Sequence, residues 1–304
     1  MDLHPDRDQD ALVEATTDWL EEYMPFEQAR ARPAGLPHAM ADMGWLAMTV
    51  PEDDGGLGVD HATEVLVFAE LGRFLAPVGV LSSAVEERWF GLEERTALAI
   101  TSGERLRVLD GHGAATALVT CPDRAELAPL PAGLNHRVSL DLTTTQALVD
   151  RVPAKQTLDD PRPHLHLSLL AAAYALGVAD AARDMAAGYA AIREQFGKAI
   201  GSFQGVKHPC ADMAVRSAVA RSQLYFAACA FDAGAADLAF HVGAAKRLAD
   251  GAALDNARSN IQVHGGIGMT DAANPHLLLK RAHLLQFVAP IATAVLLETP
   301  LASA

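Results

Sequence analysis

The chain has 304 residues, of which 50% are hydrophobic and 6% are aromatic, and its formal net charge is −14. This length allows two or three small domains with cores of their own, and the composition favours helices over sheets. The negative charge argues against nucleic acid and anionic membranes as partners. Three widely spaced cysteines show neither a disulfide framework nor a metal-binding spacing, which indicates a reducing compartment.

The N-terminal third predicts four short helices around an irregular loop. Apolar residues recur at helical spacing in residues 10–24, 37–43, 61–74 and 80–94. The loop, residues 51–58, reads Pro-Glu-Asp-Asp-Gly-Gly-Leu-Gly, and its proline and three glycines favour a rigid irregular backbone. Taken alone, this segment could equally be an ordinary acidic turn.

Residues 95–153 differ in character and predict a small β region. Short apolar runs at residues 97–100, 105–109, 117–121, 137–140 and 147–152 are separated by glycines and prolines. A Pro-Arg-Pro segment at residues 161–163 then predicts a linker to the last part of the chain.

Four long amphipathic segments follow and predict an up-and-down helix bundle. They cover residues 164–194, 203–232, 235–263 and 275–297. Pro209 lies inside the second segment. Because Gly205 stands four residues earlier and eases the clash with the proline ring, we expect a kink and not a break.

The junction between the first two of these helices, residues 188–213, is the first candidate binding stretch. Its centre, residues 193–198, reads Arg-Glu-Gln-Phe-Gly-Lys and interrupts an alanine-rich pattern. Gly201 suits a helix end, and Ser202 suits the N-cap of the next helix. An arginine, a glutamine and free N–H groups at a helix junction can hold a phosphate. A polar loop between helices explains the same residues.

The second candidate stretch, residues 261–270, reads Ile-Gln-Val-His-Gly-Gly-Ile-Gly-Met-Thr. Its three glycines let the backbone approach a ligand closely. It is not a Rossmann nucleotide-binding loop, because the glycines follow a helix and have the wrong spacing. A glycine-rich helix end is the alternative interpretation.

His164 and His166 form a His-x-His pair at the start of the bundle. No further ligands are placed in the sequence so as to converge on this pair. The sequence also lacks the Glu-x-x-His pairs of a di-iron bundle. We therefore expect a solvated helix start and no metal site.

Several of these segments together resemble the acyl-CoA dehydrogenase family. The junction is similar to the family's flavin signature, Arg-x-x-Phe-Gly followed by Phe-Gln and an Ala-Asp-Met helix, and residues 262–268 are similar to Gln-x-x-Gly-Gly-x-Gly. The loop at residues 51–58 and Leu-Gly-Arg-Phe-Leu-Ala-Pro at residues 71–77 resemble its N-terminal domain.

This resemblance implies a mainly α fold in three parts. These are an N-terminal helical domain (residues 1–94), a shortened middle β domain (residues 95–157) and a C-terminal four-helix bundle (residues 158–304). The family's middle domain is longer, and its Thr-Glu-Pro-x-x-Gly-Ser-Asp stretch and its Trp-Ile-Thr/Ser strand have no counterpart here.

The resemblance also implies a set of residues that contact FAD held mainly by a partner subunit. By this match Arg193 balances the pyrophosphate charge, and Phe196 packs on the nucleotide. The full set is Arg193, Phe196, Gln204, Gln262, Gly265 and Gly266.

The family reaction needs a carboxylate base, which removes the α-proton of an acyl-CoA while the β-hydrogen passes to the flavin as hydride. Ala289, Leu167 and Tyr174 occupy the positions where relatives carry this glutamate. The nearest remaining acids, which suit a cap, a surface charge or a tail better than a base, are Asp271, Glu194 and Glu298. The base is therefore expected to be missing.

These features favour a subunit of a heteromeric α2β2 acyl-CoA dehydrogenase, similar to actinobacterial enzymes that act on sterol side-chain and related CoA thioesters. A full-length partner would supply the base and most of the flavin pocket, and an electron-transfer flavoprotein or another acceptor would take the electrons. Two alternatives stay open: an active homo-oligomeric enzyme with a relocated base, and a flavin-free helical scaffold.

We expect a cytoplasmic protein. The first residues, Met-Asp-Leu-His-Pro-Asp-Arg-Asp, are not those of a signal peptide, and no uninterrupted apolar run is long enough to span a bilayer.

Overall fold

The computed structural model describes residues 4–31, 36–91 and 95–297 of the chain. Within these ranges the chain forms N-terminal helices, a seven-stranded sheet and a C-terminal helix bundle. The predicted helix end at residue 94 and the acid Glu298 lie outside the described residues.

Helices lie at all four predicted places before the sheet. They are α1 (Arg7–Tyr23), α2 (Leu36–Asp42), α3 (His61–Arg73) and α4 (Gly79–Phe90). Helix α1 begins before the predicted start at residue 10, because Asp6 and Gln9 form a capping box. The Asp6 side chain accepts from the Gln9 N–H at 2.9 Å, and the Gln9 side chain accepts from the Asp6 N–H at 3.0 Å.

The middle of the chain forms one sheet with the strand order β5-β6-β2-β1-β3-β4-β7. The strands are β1 (Thr96–Ser102), β2 (Arg105–Leu109), β3 (Thr116–Cys121), β4 (Arg124–Pro129), β5 (Arg137–Val138), β6 (Thr145–Asp150) and β7 (Gln156–Leu158). Strands β1 and β3 pair in parallel, and the other neighbouring strands of this sheet are antiparallel. Side chains alternate between the faces, so that Leu98 joins the main core while Ala97 faces a smaller core on the other side.

Two details of the predicted β region are wrong. Strands β4 and β7 are not among the predicted runs, and the run at 137–140 forms a strand only over Arg137–Val138. Strand β4 reads Arg-Ala-Glu-Leu-Ala-Pro, and its charged residues Arg124 and Glu126 interrupt the apolar ones, so a search for continuous apolar runs passes over it. The predicted domain boundary after residue 157 falls inside β7.

The centre of the molecule is α5 (Arg162–Ile192). The predicted Pro-Arg-Pro linker is wrong, because Pro163 lies in the first turn of this helix, where a missing N–H costs nothing. By length and composition α5 could cross a membrane, contrary to the expectation that no run is long enough. Its apolar window is fully buried inside the protein, which makes it a core helix.

Helices α3 and α5 cross with their backbones in direct contact. A methyl group built on Gly177 would lie 1.8 Å from the carbonyl oxygen of Ala69. One built on Gly72 would lie 2.1 Å from the carbonyl oxygen of Tyr174. Glycine at both positions therefore fixes the N-terminal helices against the bundle at close range.

The rest of the bundle consists of α6 (Gln204–Asp232), α7 (Leu238–His264), α8 (Pro275–Leu285) and the short α9 (Thr293–Leu297). Helix α6 runs through Pro209 without a break, as predicted. The single helix predicted over 275–297 is wrong. Helix α8 ends at Leu285, Ala289 has a left-handed φ of 41°, and Pro290 has no N–H with which to continue a helix.

Candidate functional site

The predicted flavin-contacting residues lie at one end of the bundle. Arg193 is the C-cap of α5, and Gln204 is the first residue of α6. Gln262 lies in the last turn of α7, and the Gly265–Met269 turn follows it directly. Two contacts hold this end together. The Tyr189 ring stacks on the His264 ring with centroids 4.1 Å apart, and a methyl group on Gly201 would lie 2.9 Å from the Ala190 carbonyl oxygen.

A two-residue hairpin presents Phe196 at this end. Strands β8 (Glu194–Gln195) and β9 (Lys198–Ala199) pair antiparallel, and the Ile200 N–H donates to the Arg193 carbonyl at 2.8 Å. Phe196 has a φ of 53° and Gly197 a φ of 76°, the two positive values of a tight hairpin turn. A left-handed conformation costs a residue other than glycine about 1–2 kcal/mol. Phe196 is 91% exposed, so burial of its ring within this chain does not offset that cost.

The predicted helix boundary at Gly201 and Ser202 is wrong. Helix α5 ends before the hairpin, both residues lie in a short 3-10 turn, and the N-cap of α6 is Phe203. No side chain of the described residues caps α6, so its first N–H groups and the positive end of its dipole are available to an anion.

The polar side chains of this end are free to bind a ligand. Arg193, Gln204 and Gln262 are exposed, and their side chains make no hydrogen bond or ion pair within the described part of the chain. An unpaired guanidinium beside an uncapped helix start suits a phosphate group, and the exposed backbone of Gly265 and Gly266 leaves room for close approach. These residue types therefore fit the pyrophosphate and nucleotide parts of FAD.

The positions of the expected base lie elsewhere, in the core. Leu167 is 2% exposed, Tyr174 is 0% exposed, and Ala289 is 7% exposed. Full burial of Tyr174 means that no water-sized space touches this side chain. A base must contact its substrate, so neither Leu167 nor Tyr174 adjoins an open acyl pocket.

A buried arginine accounts for the closure around Tyr174. Arg281 of α8 donates to Asp141 at 2.6 Å, to the Ala76 carbonyl at 2.8 Å and to Thr143 at 2.7 Å, and it also bonds the Tyr174 hydroxyl. The same hydroxyl donates to the Ala76 carbonyl at 2.5 Å. Burial by itself would lower the pKa of Arg281, but the Asp141 carboxylate and the hydrogen bonds raise it overall.

Arg281 is not among the candidate residues predicted from the sequence. It is fully buried, and it occurs at helical spacing with the apolar residues Leu277, Leu278 and Leu285 on the inward face of α8. A cation on an apolar helix face is a signal that could have identified it, because such a charge needs a buried partner.

The remaining acids lie away from these positions. Asp271 is largely exposed beside Arg30, at 3.9 Å, and Glu194 is an exposed hairpin residue.

The predicted solvated start of α5 is wrong. His164 and His166 are both buried. His164 bonds the Thr120 hydroxyl at 2.9 Å, while His166 meets Glu64 of α3 at 2.8 Å. The pairing of His166 with Glu64 is a contact between distant segments that local sequence spacing does not reveal.

Comparison with known proteins identifies the family. The model described as acyl-CoA dehydrogenase, N-terminal domain, matches residues 6–90, and the one described as acyl-CoA dehydrogenase, C-terminal domain, matches residues 166–289. The chain is 30% identical over 274 residues to acyl-CoA dehydrogenase IpdE2 of Mycobacterium tuberculosis, a match covering 85% of this chain and 80% of the relative.

Solved structures show the same fold at lower identity. Butyryl-CoA dehydrogenase from Megasphaera elsdenii superposes with a TM-score of 0.79 at 20% identity, covering 98% of both chains. The ChsE4-ChsE5 complex from Mycobacterium tuberculosis gives 0.77 at 22% identity, covering 97% of both chains. The predicted mainly α fold is thereby confirmed, and the domain models and the relationship to IpdE2 show that the chain belongs to the acyl-CoA dehydrogenase family.

Proposed function

We propose that this chain is the subunit without a catalytic base in a heteromeric FAD-dependent acyl-CoA dehydrogenase. One contrast carries the proposal. The residues suited to FAD are exposed and unpaired at one end of the bundle, whereas two of the three positions suited to the base are sealed in the core and the third is an alanine. The chain thus offers contacts for a flavin that is held mainly by a partner subunit.

In this role each residue has a definite task. Arg193 and the start of α6 bind the pyrophosphate, Phe196 covers the nucleotide, and Gln204 and Gln262 orient it through hydrogen bonds. Gly265 and Gly266 allow close backbone approach. FAD held by these residues would supply the hydride acceptor for the β-hydrogen of an acyl-CoA, and a carboxylate of the partner subunit would supply the base for the α-proton.

The partner is a full-length acyl-CoA dehydrogenase subunit in an α2β2 assembly, in the cytoplasm, with an electron-transfer flavoprotein or another acceptor as the final oxidant. The ChsE4-ChsE5 structure, which is a complex and contains a chain with this fold, supports this arrangement. The exposure of Phe196 also supports a partner subunit. Burial of this side chain in an interface would contribute about 1.5–3 kcal/mol, which the isolated chain does not gain.

One observation favours the alternative of a relocated base. Asp250 of α7 lines a cavity of about 410 Å³ together with Gln286 and Pro290, next to Ala289. Burial raises the pKa of this carboxyl group, although Lys246 beside it acts in the opposite direction. The ion pair with Lys246, which also donates to the Leu285 carbonyl at 3.0 Å, is itself a sufficient structural explanation.

Co-expression distinguishes these proposals. The chain is purified alone and together with a neighbouring acyl-CoA dehydrogenase gene product, and flavin absorbance and acyl-CoA-dependent reduction of an acceptor dye are measured. We expect bound FAD and turnover only from the pair. Turnover by the chain alone, abolished by Asp250→Asn, would establish the relocated base instead. A stable pair without flavin would support the flavin-free scaffold.

A further inference from the structure

Three buried ionisable side chains meet where the N-terminal helices contact the bundle. His61 and Glu64 are one helical turn apart on α3, and His166 faces them from α5. One nitrogen or oxygen atom of each lies within 4.8 Å of the corresponding atoms of the other two. Glu64 and His166 are both 0% exposed. This group of three is called the His-Glu-His cluster below.

The cluster contains polar atoms that lack partners. Within the described ranges, Nε2 of His61 and Oε1 of Glu64 are buried and make no hydrogen bond. Buried polar groups in proteins are nearly always paired, so these two atoms leave lone pairs available to a ligand.

The surroundings of His61 are those of a metal ligand. Its Nδ1 lies 2.6 Å from Asp232 at the end of α6, and Asp232 also accepts the backbone N–H groups of His61 at 2.9 Å and Ala62 at 3.1 Å. A carboxylate on Nδ1 places the ring proton there and leaves the lone pair of the buried Nε2 atom available to a ligand. Metal-binding histidines are commonly oriented in this way.

We propose that the His-Glu-His cluster binds a divalent transition-metal ion, through Nε2 of His61, the Glu64 carboxylate and Nε2 of His166, with Asp232 orienting His61. Two neutral imidazoles and one carboxylate are a ligand set that suits zinc. This proposal departs from the expectation, drawn from sequence spacing, that the His-x-His pair has no further ligands.

The geometry is close to that required. Metal–ligand distances of about 2.0–2.2 Å place the ligand atoms roughly 3.3 Å apart in a tetrahedral site. The Glu64 oxygen and His166 nitrogen already lie 2.8 Å apart, so metal entry must widen that pair and draw His61 inward. Rotation of the Glu64 side chain can widen that pair, and a tilt of the His61 ring about its hydrogen bond to Asp232 can bring Nε2 inward.

One existing contact competes with metal binding. Nε1 of Trp89 donates to Nδ1 of His166 at 3.1 Å, which leaves the ring proton of His166 on Nε2, where the metal must bind. Ligation therefore moves that proton to Nδ1 and displaces the Trp89 N–H. Loss of this hydrogen bond should weaken metal binding by up to about tenfold. The binding free energy of a structural zinc site, about 10–16 kcal/mol, is much larger than this loss.

The ion would join three helices and would act on stability, not on the dehydrogenation. It links α3 and α5 directly and α6 through Asp232. His166 lies at the opposite end of α5 from Arg193, about 40 Å away at 1.5 Å per residue. The inference is therefore independent of the proposed flavin role.

The test uses the full-length, tag-free chain, with its co-expressed partner if that is needed for solubility. Metal content is measured by mass spectrometry, and thermal unfolding is followed with zinc and with a chelator. We expect one zinc ion per chain and a lower melting temperature in chelator. Cobalt, used as a spectroscopic probe, should give the visible absorption of a site with nitrogen and oxygen ligands.

Variants locate the site. His61→Gln, Glu64→Gln and His166→Gln should each remove the bound metal, and Asp232→Asn should weaken binding about 10–100-fold. The matched control is His164→Gln, which alters a buried histidine of the same helix outside the cluster and should keep the metal. Trp89→Phe removes the competing donor and should tighten binding by up to about tenfold.

Two results would overturn the proposal. One is a wild-type chain that holds no metal and whose melting temperature is unaffected by zinc. The other is metal retention that is equal in the cluster variants and in wild type. The wild-type cobalt spectrum and the Trp89→Phe variant keep the test decisive even if a ligand variant fails to fold.

Discussion

The buried Arg281 allows a sharp prediction about stability. Replacing it by leucine, which fits an apolar helix face, removes the cation but leaves Asp141 buried. The substitution also leaves the Tyr174 hydroxyl with one hydrogen bond fewer. We expect Arg281→Leu to destabilise the protein strongly, because an uncompensated buried charge costs more than the lost contacts alone.

The size of the effect follows from the contacts. Removing one partner of a buried ion pair typically costs about 3–5 kcal/mol. Here Asp141 keeps two other donors, the Thr143 N–H at 2.9 Å and the Thr143 hydroxyl at 2.6 Å, which favours the lower end, about 3 kcal/mol. Removing both charges, with Asp141→Leu added, should recover about 1 kcal/mol or more, since no charge then remains unpaired.

The assay is urea unfolding followed by circular dichroism, with the free energy of unfolding compared between variants. Arg258→Leu is the control, because Arg258 forms an exposed ion pair with Asp255 at 3.3 Å, and such pairs are worth about 0–1 kcal/mol. The reasoning would be refuted if Arg281→Leu cost no more than this control, or if the double variant were less stable than Arg281→Leu.

Three further predictions concern the flavin end, the helix crossing and pH. Arg193→Ala should lower FAD occupancy of the co-expressed complex without changing its circular dichroism; unchanged occupancy would contradict the role across the subunit interface. Gly177→Ala should cost at least about 1–3 kcal/mol, because the new methyl group meets the Ala69 carbonyl, whereas Gly251→Ala, in open space on α7, should stabilise by up to about 1 kcal/mol in the same urea assay. Burial lowers the pKa of His164 below its ordinary 6.5, so the unfolded chain binds more protons at acidic pH. Stability should therefore fall as pH drops below about 6.5, and His164→Gln should reduce that dependence; an equally steep profile in the variant would contradict it.

The helices could be predicted from the sequence because their signal, the spacing of apolar residues, is local. Periodic apolar residues predicted the helices of both ends, and α6 continues through Pro209 as expected. The two candidate stretches lie at the same end of the bundle. Successive helices run in opposite directions, so the turn between α5 and α6 and the end of α7 come to the same end. The end of α8 was missed because a backbone turn at Ala289 ends it, while the apolar pattern continues beyond that residue.

What the sequence could not reveal depends on contacts between distant segments. Arg281 and Asp141 are far apart in the chain, as are His166 and Glu64, and neither pair has a spacing that indicates its partner. A polar residue in an apolar segment shows only that a partner must exist. Its identity follows from how α3, α5 and α8 cross, which in turn depends on glycines such as Gly177.

The hairpin at Phe196 has a consequence for the isolated chain. Its two-residue turn holds the aromatic ring outward on a short, paired loop, so the loss of freedom on binding is limited to two side-chain torsions. An anchor fixed in this way favours fast and tight association with a complementary surface. Without such a surface, the same ring lies open to a second copy of the chain, and an unpartnered chain should become prone to self-association as its concentration rises.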